Sequence, residues 1–155
     1  MTNQISEADL RNALPDVNTD QKLDGIVSGA TIHRDKWGIP HITAGNEPDL
    51  FFAQGFATAQ DRLFQMDYDR LRCLGRSAEH LGERGVAQDR LMRRRALKIV
   101  SKRDLEVCSV EAQAMIKAYT AGVNAFIESS EPLPVEYILT GTKPEKWEDW
   151  HCILV

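Results

Sequence analysis

His33 and His41 flank a turn and come closest to paired metal ligands in this 155-residue sequence. A zinc site needs His, Cys or carboxylate ligands converging at short spacing, and no second pair accompanies them. They read as hydrogen-bonded structural histidines, and no metal residue is assigned. A nucleophilic serine needs a strained elbow or an activating base beside it. Ser28, Ser77, Ser101 and Ser109 show neither, and they read as surface or capping serines. Cys73, Cys108 and Cys152 are odd in number and far apart, outside the short spacings of zinc or redox motifs. The ten glycines form no cluster before a helix, so phosphate-loop chemistry is absent. Asp61, with Arg62, Asp67, Asp69 and Arg70 close by, is the one carboxylate–arginine group with local logic. Residues such as Gln65 and Asp69 share a helix face, so this group reads as a structural network. From these residues alone no catalytic residue is assigned and the substrate-binding residues are unknown.

Arg90, Arg93, Arg94, Arg95, Lys98, Lys102 and Arg103 form a basic run that raises the question of nucleic acid or an acidic lipid surface. On one helix these positions spread around most of the circumference, between Leu91, Met92, Leu97 and Val100, so a solvated or salt-bridged face is the better reading. The whole chain carries 19 basic and 23 acidic residues, a net charge of −4, and offers no positive field for a phosphate backbone. The expectation is no nucleic acid and no membrane. Acidic and basic residues interrupt every early window, so no leader of signal-peptide length is read, and the location is expected to be cytoplasmic. With 43% apolar and 27% charged residues the chain has the composition of a globular fold.

The elements that must position these groups follow from periodicity and caps. Ser6, Glu7 and Asp9 predict a short helix over 5–14. From Gly25 the period becomes two, predicting a strand to Asp35, a turn at Asp35–Gly38 and a return strand over Ile39–Thr43, with Pro40 at its edge or beginning. Asn46, Pro48 and Asp49 open a long helix to Arg72. Gly55 inside it costs about 1 kcal/mol against alanine and predicts close backbone contact with a neighbour. Its Phe51, Phe52, Phe56 and Phe64 read as core. Gly75 and Gly82 bracket a helix over Arg76–Leu81, a basic helix follows over Asp89–Val107, and Ser109 caps another to about Ser129. Pro132 and Pro134 break the chain before a short apolar segment, Val135–Leu139. A last helix is predicted to start at Glu148 and runs without a terminating cap into Ile153-Leu154-Val155. The natural polypeptide is therefore expected to continue past Val155, or a partner to bury that end.

Several runs together resemble the α (small) subunit of the penicillin acylase family of N-terminal-nucleophile hydrolases. They are Arg34-Asp35 with Gly38-Ile39-Pro40-His41-Ile42, Ala59-Gln60-Asp61-Arg62-Leu63-Phe64-Gln65-Met66, and Gly75-Arg76-Ser77-Ala78-Glu79-His80-Leu81-Gly82. Ala118-Tyr119-Thr120-Ala121-Gly122-Val123-Asn124-Ala125-Phe126-Ile127 is similar too, as are Leu133-Pro134-Val135-Glu136-Tyr137 and Lys143-Pro144-Glu145-Lys146-Trp147. The resemblance covers Ile26 to Trp147 in order.

The resemblance implies an α+β fold overall, an αββα sandwich completed with a β chain. This chain would supply a mostly α-helical part with an N-terminal β-hairpin, and residues 1–155 would be a single segment incomplete at its C-terminus. It implies a precursor, an autoproteolytically processed zymogen, whose large β subunit begins with the nucleophilic serine. The heterodimer would hydrolyse a small-molecule N-acyl amide to a carboxylic acid and an amine. The family's acyl-pocket residues in the α chain, and a glutamate for a structural Ca2+, fall beyond Val155, so no catalytic, pocket or calcium residue is carried onto a numbered position. Pro40, Gly38, Asp61 and Arg62 read as scaffold, and for His41 an approach to the β chain is weighed against the same scaffold reading, which is preferred. The acyl group stays open among β-lactam side-chain amides, acyl-homoserine lactones and simple N-acyl amides. The other reading is a non-catalytic helical interaction module of the same descent.

Overall fold

The computed structural model describes residues 5–130 and 133–155. Serine and asparagine caps start three of its helices as their sequences dictate. Helix α1 (Glu7–Asn12) begins at Ser6, whose hydroxyl accepts the Asp9 N–H while Asp9 returns a bond to the Ser6 N–H. The long α2 (Glu47–Leu74) begins at Asn46, whose Oδ1 accepts the Asp49 N–H at 2.8 Å, and ends at Gly75 in the left-handed conformation, φ +68°. Helix α6 (Val110–Ser129) begins at Ser109.

Between α1 and α2 lies a two-stranded antiparallel hairpin, β1 (Ala30–Arg34) and β2 (Pro40–Ala44), in which Ile32 pairs Ile42 and His33 pairs His41. The Asp35 carboxylate accepts the N–H groups of Trp37 and Ile39, and Gly38 supplies the positive φ of the turn. Pro40 opens β2, where no ladder donor is lost. The strand expected from Gly25 begins only at Ala30. Over 27–28 the backbone N–H groups turn away from any ladder to donate to the Asp49 carboxylate at 2.9 and 2.7 Å.

The second half is helical: α3 (Ala78–Leu81), α4 (Glu83–Arg95), α5 (Leu97–Val107), α6, α7 (Val135–Thr140) and α8 (His151–Leu154). The chain is thus mostly helical with an N-terminal hairpin, as expected. Further boundaries differ from the sequence reading. The helix after Gly75 starts at Ala78, because the N–H groups of Ser77 and Ala78 are both taken by the Asp89 carboxylate at 2.8 Å. The last helix starts at His151 rather than Glu148, whose N–H donates to His151 Nδ1 at 2.9 Å. Pro132 lies outside the described residues.

The basic helix expected to run unbroken to Val107 is two helices, divided at Ala96 with φ +53°. Only tertiary packing holds an alanine there, since the left-handed conformation costs a residue with a Cβ roughly 1–2 kcal/mol. Ala96→Gly is expected to raise stability by up to about 1 kcal/mol, read as a higher urea midpoint at unchanged slope in the intact precursor.

The core sits where α2 crosses α6. Phe56, Ala59, Leu63, Met66, Val123, Phe126, Tyr137 and Trp147 form one buried cluster, with the Phe56 and Phe126 rings edge to face at 5.4 Å. The crossing is close because each helix presents a glycine. A Cβ on Gly55 would land on the Tyr119 carbonyl, and one on Gly122 on the Phe52 carbonyl. A second cluster, Cys73, Met92, Trp150 and Leu154, joins α2, α4 and α8. Among the described residues no helix is long and apolar enough to cross a membrane.

Candidate functional site

None of the groups that suggested chemistry is assembled as a catalytic centre. The Ser28 and Ser77 N–H groups cap carboxylates, Ser109 Oγ caps α6, and Ser101 is buried on α5. All three cysteines are free, and Cys152 Sγ lies 3.4 Å from Thr120 Oγ1. His33 and His41 sit opposite each other on the exposed face of the hairpin, with His41 Nε2 3.4 Å from Asp35. Among the described residues no three His, Cys, Asp or Glu side chains converge. The basic run divides: Arg93 Nε donates to the Gly75 carbonyl at 2.8 Å, Lys98 and Lys102 lie over the Trp150 ring, and Arg90, Arg94, Arg95 and Arg103 are exposed.

The polar groups that are assembled tie backbone to backbone along α2. Arg34 of β1 reaches Asp61 at 2.7 Å and Gln60 at 2.8 Å, while Gln60 also donates to the Asp16 carbonyl. This fastens the hairpin and the residues before it to the middle of α2. Two turns on, Asp67 and Arg70 are buried together at 2% and 3% side-chain exposure, Arg70 the lower. Arg70 also holds Glu145 at 3.0 Å, and Tyr137 donates to Asp67. Arg76 grips Glu145 from the other side at 2.7 Å and pairs with Glu79. The Arg76 hydrogen bonds, opposed by burial and reinforced by Arg70, hold the Glu145 carboxyl down at about 2. Burial pushes the Tyr137 hydroxyl well above its ordinary value. Two helices and the loop carrying residue 145 are locked by this network.

His151 is 3% exposed, packed edge-on to Trp147 and tilted against Trp150. Burial, and after it the Arg70 charge, depress its pKa from 6.5 to about 4. A histidine whose folded pKa lies below its unfolded value favours folding above the unfolded pKa and loses that contribution as pH falls toward the folded one. Stability is therefore expected to drop between pH 6.5 and about 4 by at most about 3 kcal/mol. The Glu145 contribution goes only in the lower window, from about 4.5 toward 2. Urea midpoints at successive pH values check this, and His151→Gln is expected to flatten the upper window alone.

The interhelical space supplies the concave feature. A cleft of about 460 Å³ lies between α2, α6 and α8, walled by Phe51, Met66, Met115, Ile116, Tyr119, Trp147, Cys152 and Val155, with Gln54, Arg62, Gln65 and Asp69 as its polar members. It is an apolar groove with few polar groups, the general form of a binding surface. At its edge α2 kinks: Arg62 leaves helical geometry (φ −151°, ψ 35°). No proline or glycine marks the kink in sequence, so only the structure reveals it. Thr58, one turn earlier, returns its hydroxyl to the Gln54 carbonyl, a bond that bends helices. Of the expected Asp61–Arg62 tie, Asp61 alone makes a side-chain contact among the described residues.

Fold and site define a class before any relative is considered: a helical scaffold with one hairpin, in which carboxylates and arginines fasten backbone to backbone and an apolar cleft lies open. The chain belongs to the penicillin amidase family, whose model, described as Penicillin amidase, matches residues 29–155. It is 48% identical to the penicillin acylase 2 proenzyme of Pseudomonas sp. (strain SE83), over 94% of this chain and 19% of that protein. It is 32% identical to an acyl-homoserine lactone acylase of Pseudomonas aeruginosa, over 93% of this chain and 17% of the relative. A thermostable penicillin G acylase from Alcaligenes faecalis superposes with a TM-score of 0.74 at 31% identity, covering 83% of this chain and 70% of that solved chain. The chain thus spans less than a fifth of the length of these two curated relatives.

Proposed function

We propose that this chain is the α-subunit part of an N-terminal-nucleophile amide hydrolase, acting only with a β chain from the same precursor. The observation that carries the reading is the coverage: nearly all of this chain aligns with under a fifth of a proenzyme, yet with most of a solved acylase chain. In the proposed enzyme a serine hydroxyl at the start of the β chain attacks the amide carbonyl, and its own α-amine takes the proton. Backbone or side-chain donors hold the oxyanion, the amine leaves, and water releases the acid from the acyl-enzyme. This chain's part is mechanical: the Arg34–Asp61 tie and the Arg70–Glu145–Arg76 network hold α2, the hairpin and the α8 region as one support for the catalytic chain. The substrate class is an N-acyl amide; the names of the relatives point to β-lactam side-chain amides and acyl-homoserine lactones.

Expression of this chain alone, and together with the remainder of its precursor, tests the reading. Amide hydrolysis is expected only from the pair, and turnover by this chain alone would overturn it. Asp61→Ala removes the partner of a partly buried arginine and is expected to lower the yield of matured enzyme several-fold while leaving kcat per assembled heterodimer near normal. A selective fall in kcat at normal assembly would show that Asp61 does more than support.

A further inference from the structure

Arg62 stands apart from most of the other arginines on α2 and its neighbours. Arg34, Arg70, Arg72 and Arg76 each hold a carboxylate of this chain. Two acids beside Arg62 are taken elsewhere, Asp61 by Arg34 and Asp69 by Arg72. The Arg62 side chain makes no hydrogen bond or ion pair with another described residue. It occupies the kink in α2 and borders three separate concavities: the 460 Å³ cleft, one of about 410 Å³ beside Pro40 and Ile42 of the hairpin, and one of about 600 Å³ beneath α1. Phe51, Met115, Ile116 and Tyr119 leave part of their apolar surface open on the wall of the first. A spare, forked cation at the meeting point of apolar grooves matches one chemistry, an ionised carboxylate flanked by apolar side chains.

We infer that Arg62 is the polar anchor of the interface on which the remainder of the precursor docks, receiving an Asp or Glu of that polypeptide while its apolar neighbours enter the α2–α6 cleft. The inference rests on the two-chain reading above and adds the surface and the charge to it. Length supports the occupant, since the relatives carry more than four fifths of their sequence outside the part matched here. Desolvation by the partner makes this pair strong where an exposed one would be weak.

The test is made on the intact precursor and the processed pair. Arg62→Gln is expected to weaken association of the two chains about 30-fold, a loss of about 2 kcal/mol at 1.4 kcal/mol per decade, with Arg62→Lys intermediate because an ammonium keeps the charge without the fork. Arg103→Gln, on the exposed face of α5, is expected to change nothing. Circular dichroism of each precursor separates loss of docking from loss of folding. Arg62→Glu should be rescued by one Asp/Glu→Lys exchange in the remainder, which identifies the partner residue. Equal association of wild type, Arg62→Gln and Arg62→Glu would overturn the anchor while leaving the two-chain reading intact. Failure of the wild-type chain to associate with its remainder at all would overturn both.

Discussion

Gly122→Ala is expected to abolish accumulation of folded precursor, and Gly55→Ala to do nearly the same. Each glycine sits inside a helix, where alanine is ordinarily preferred by about 1 kcal/mol, so propensity alone predicts stabilisation. Packing reverses the sign. The new methyl at 122 would meet the Phe52 carbonyl and the Phe56 N–H, and at 55 it would meet the Tyr119 carbonyl and Cα. These are backbone atoms, so no rotamer change relieves the overlap, and α2 and α6 must separate along the seam holding Phe56, Val123 and Phe126. Overpacking usually costs 1–3 kcal/mol, and a clash with backbone belongs at or above the top of that range, about 3 kcal/mol or more. That is a large share of an ordinary domain's 5–15 kcal/mol. Gly45→Ala is the control. It has open space and no positive φ, and is expected to be neutral or to gain a few tenths of a kcal/mol. Soluble yield and urea midpoints of the three variants decide the matter; a Gly122→Ala precursor as stable as the parent would mean that the helices do not cross here as described.

Asp67→Ala carries the second large effect. Arg70 is 2% exposed, and removing Asp67 leaves its guanidinium facing only Glu145, half in solvent. It also strips the Tyr137 hydroxyl of its acceptor. An uncompensated buried charge typically costs 3–5 kcal/mol, and a shift of the urea midpoint of that size is expected. The double variant Asp67→Leu with Arg70→Met removes both charges and is expected to lose less than Asp67→Ala alone, because no ion is then left stranded. Its Glu145 keeps Arg76 as partner. A double variant worse than the single would show that the network contributes through geometry rather than through charge compensation.

Local rules carried the reading wherever the physics is local. Caps at Ser6, Asn46 and Ser109, the turn glycine Gly38, the edge position of Pro40 and the close approach at Gly55 all lie where the sequence places them, because a cap or a positive φ depends on a few neighbouring atoms. Three of the misreadings share one cause. Asp49 taking the N–H groups of Val27 and Ser28, Asp89 taking those of Ser77 and Ala78, and His151 taking that of Glu148 each moved an element boundary, and the first two join residues more than ten apart. No periodicity announces a carboxylate that will cap another element.

By itself the sequence determined the helix-and-hairpin composition and the family. Tertiary structure alone decided that Asp61 serves Arg34 and not Arg62, that the basic run breaks at Ala96, that α2 bends at Arg62, and that an apolar cleft opens beside that bend. The reason is the range of the forces. Dihedral preference and capping act within a turn of chain, whereas the pairing of a charge is settled by whichever partner the packed helices bring within about 3 Å, and that choice is made only when the chain has folded.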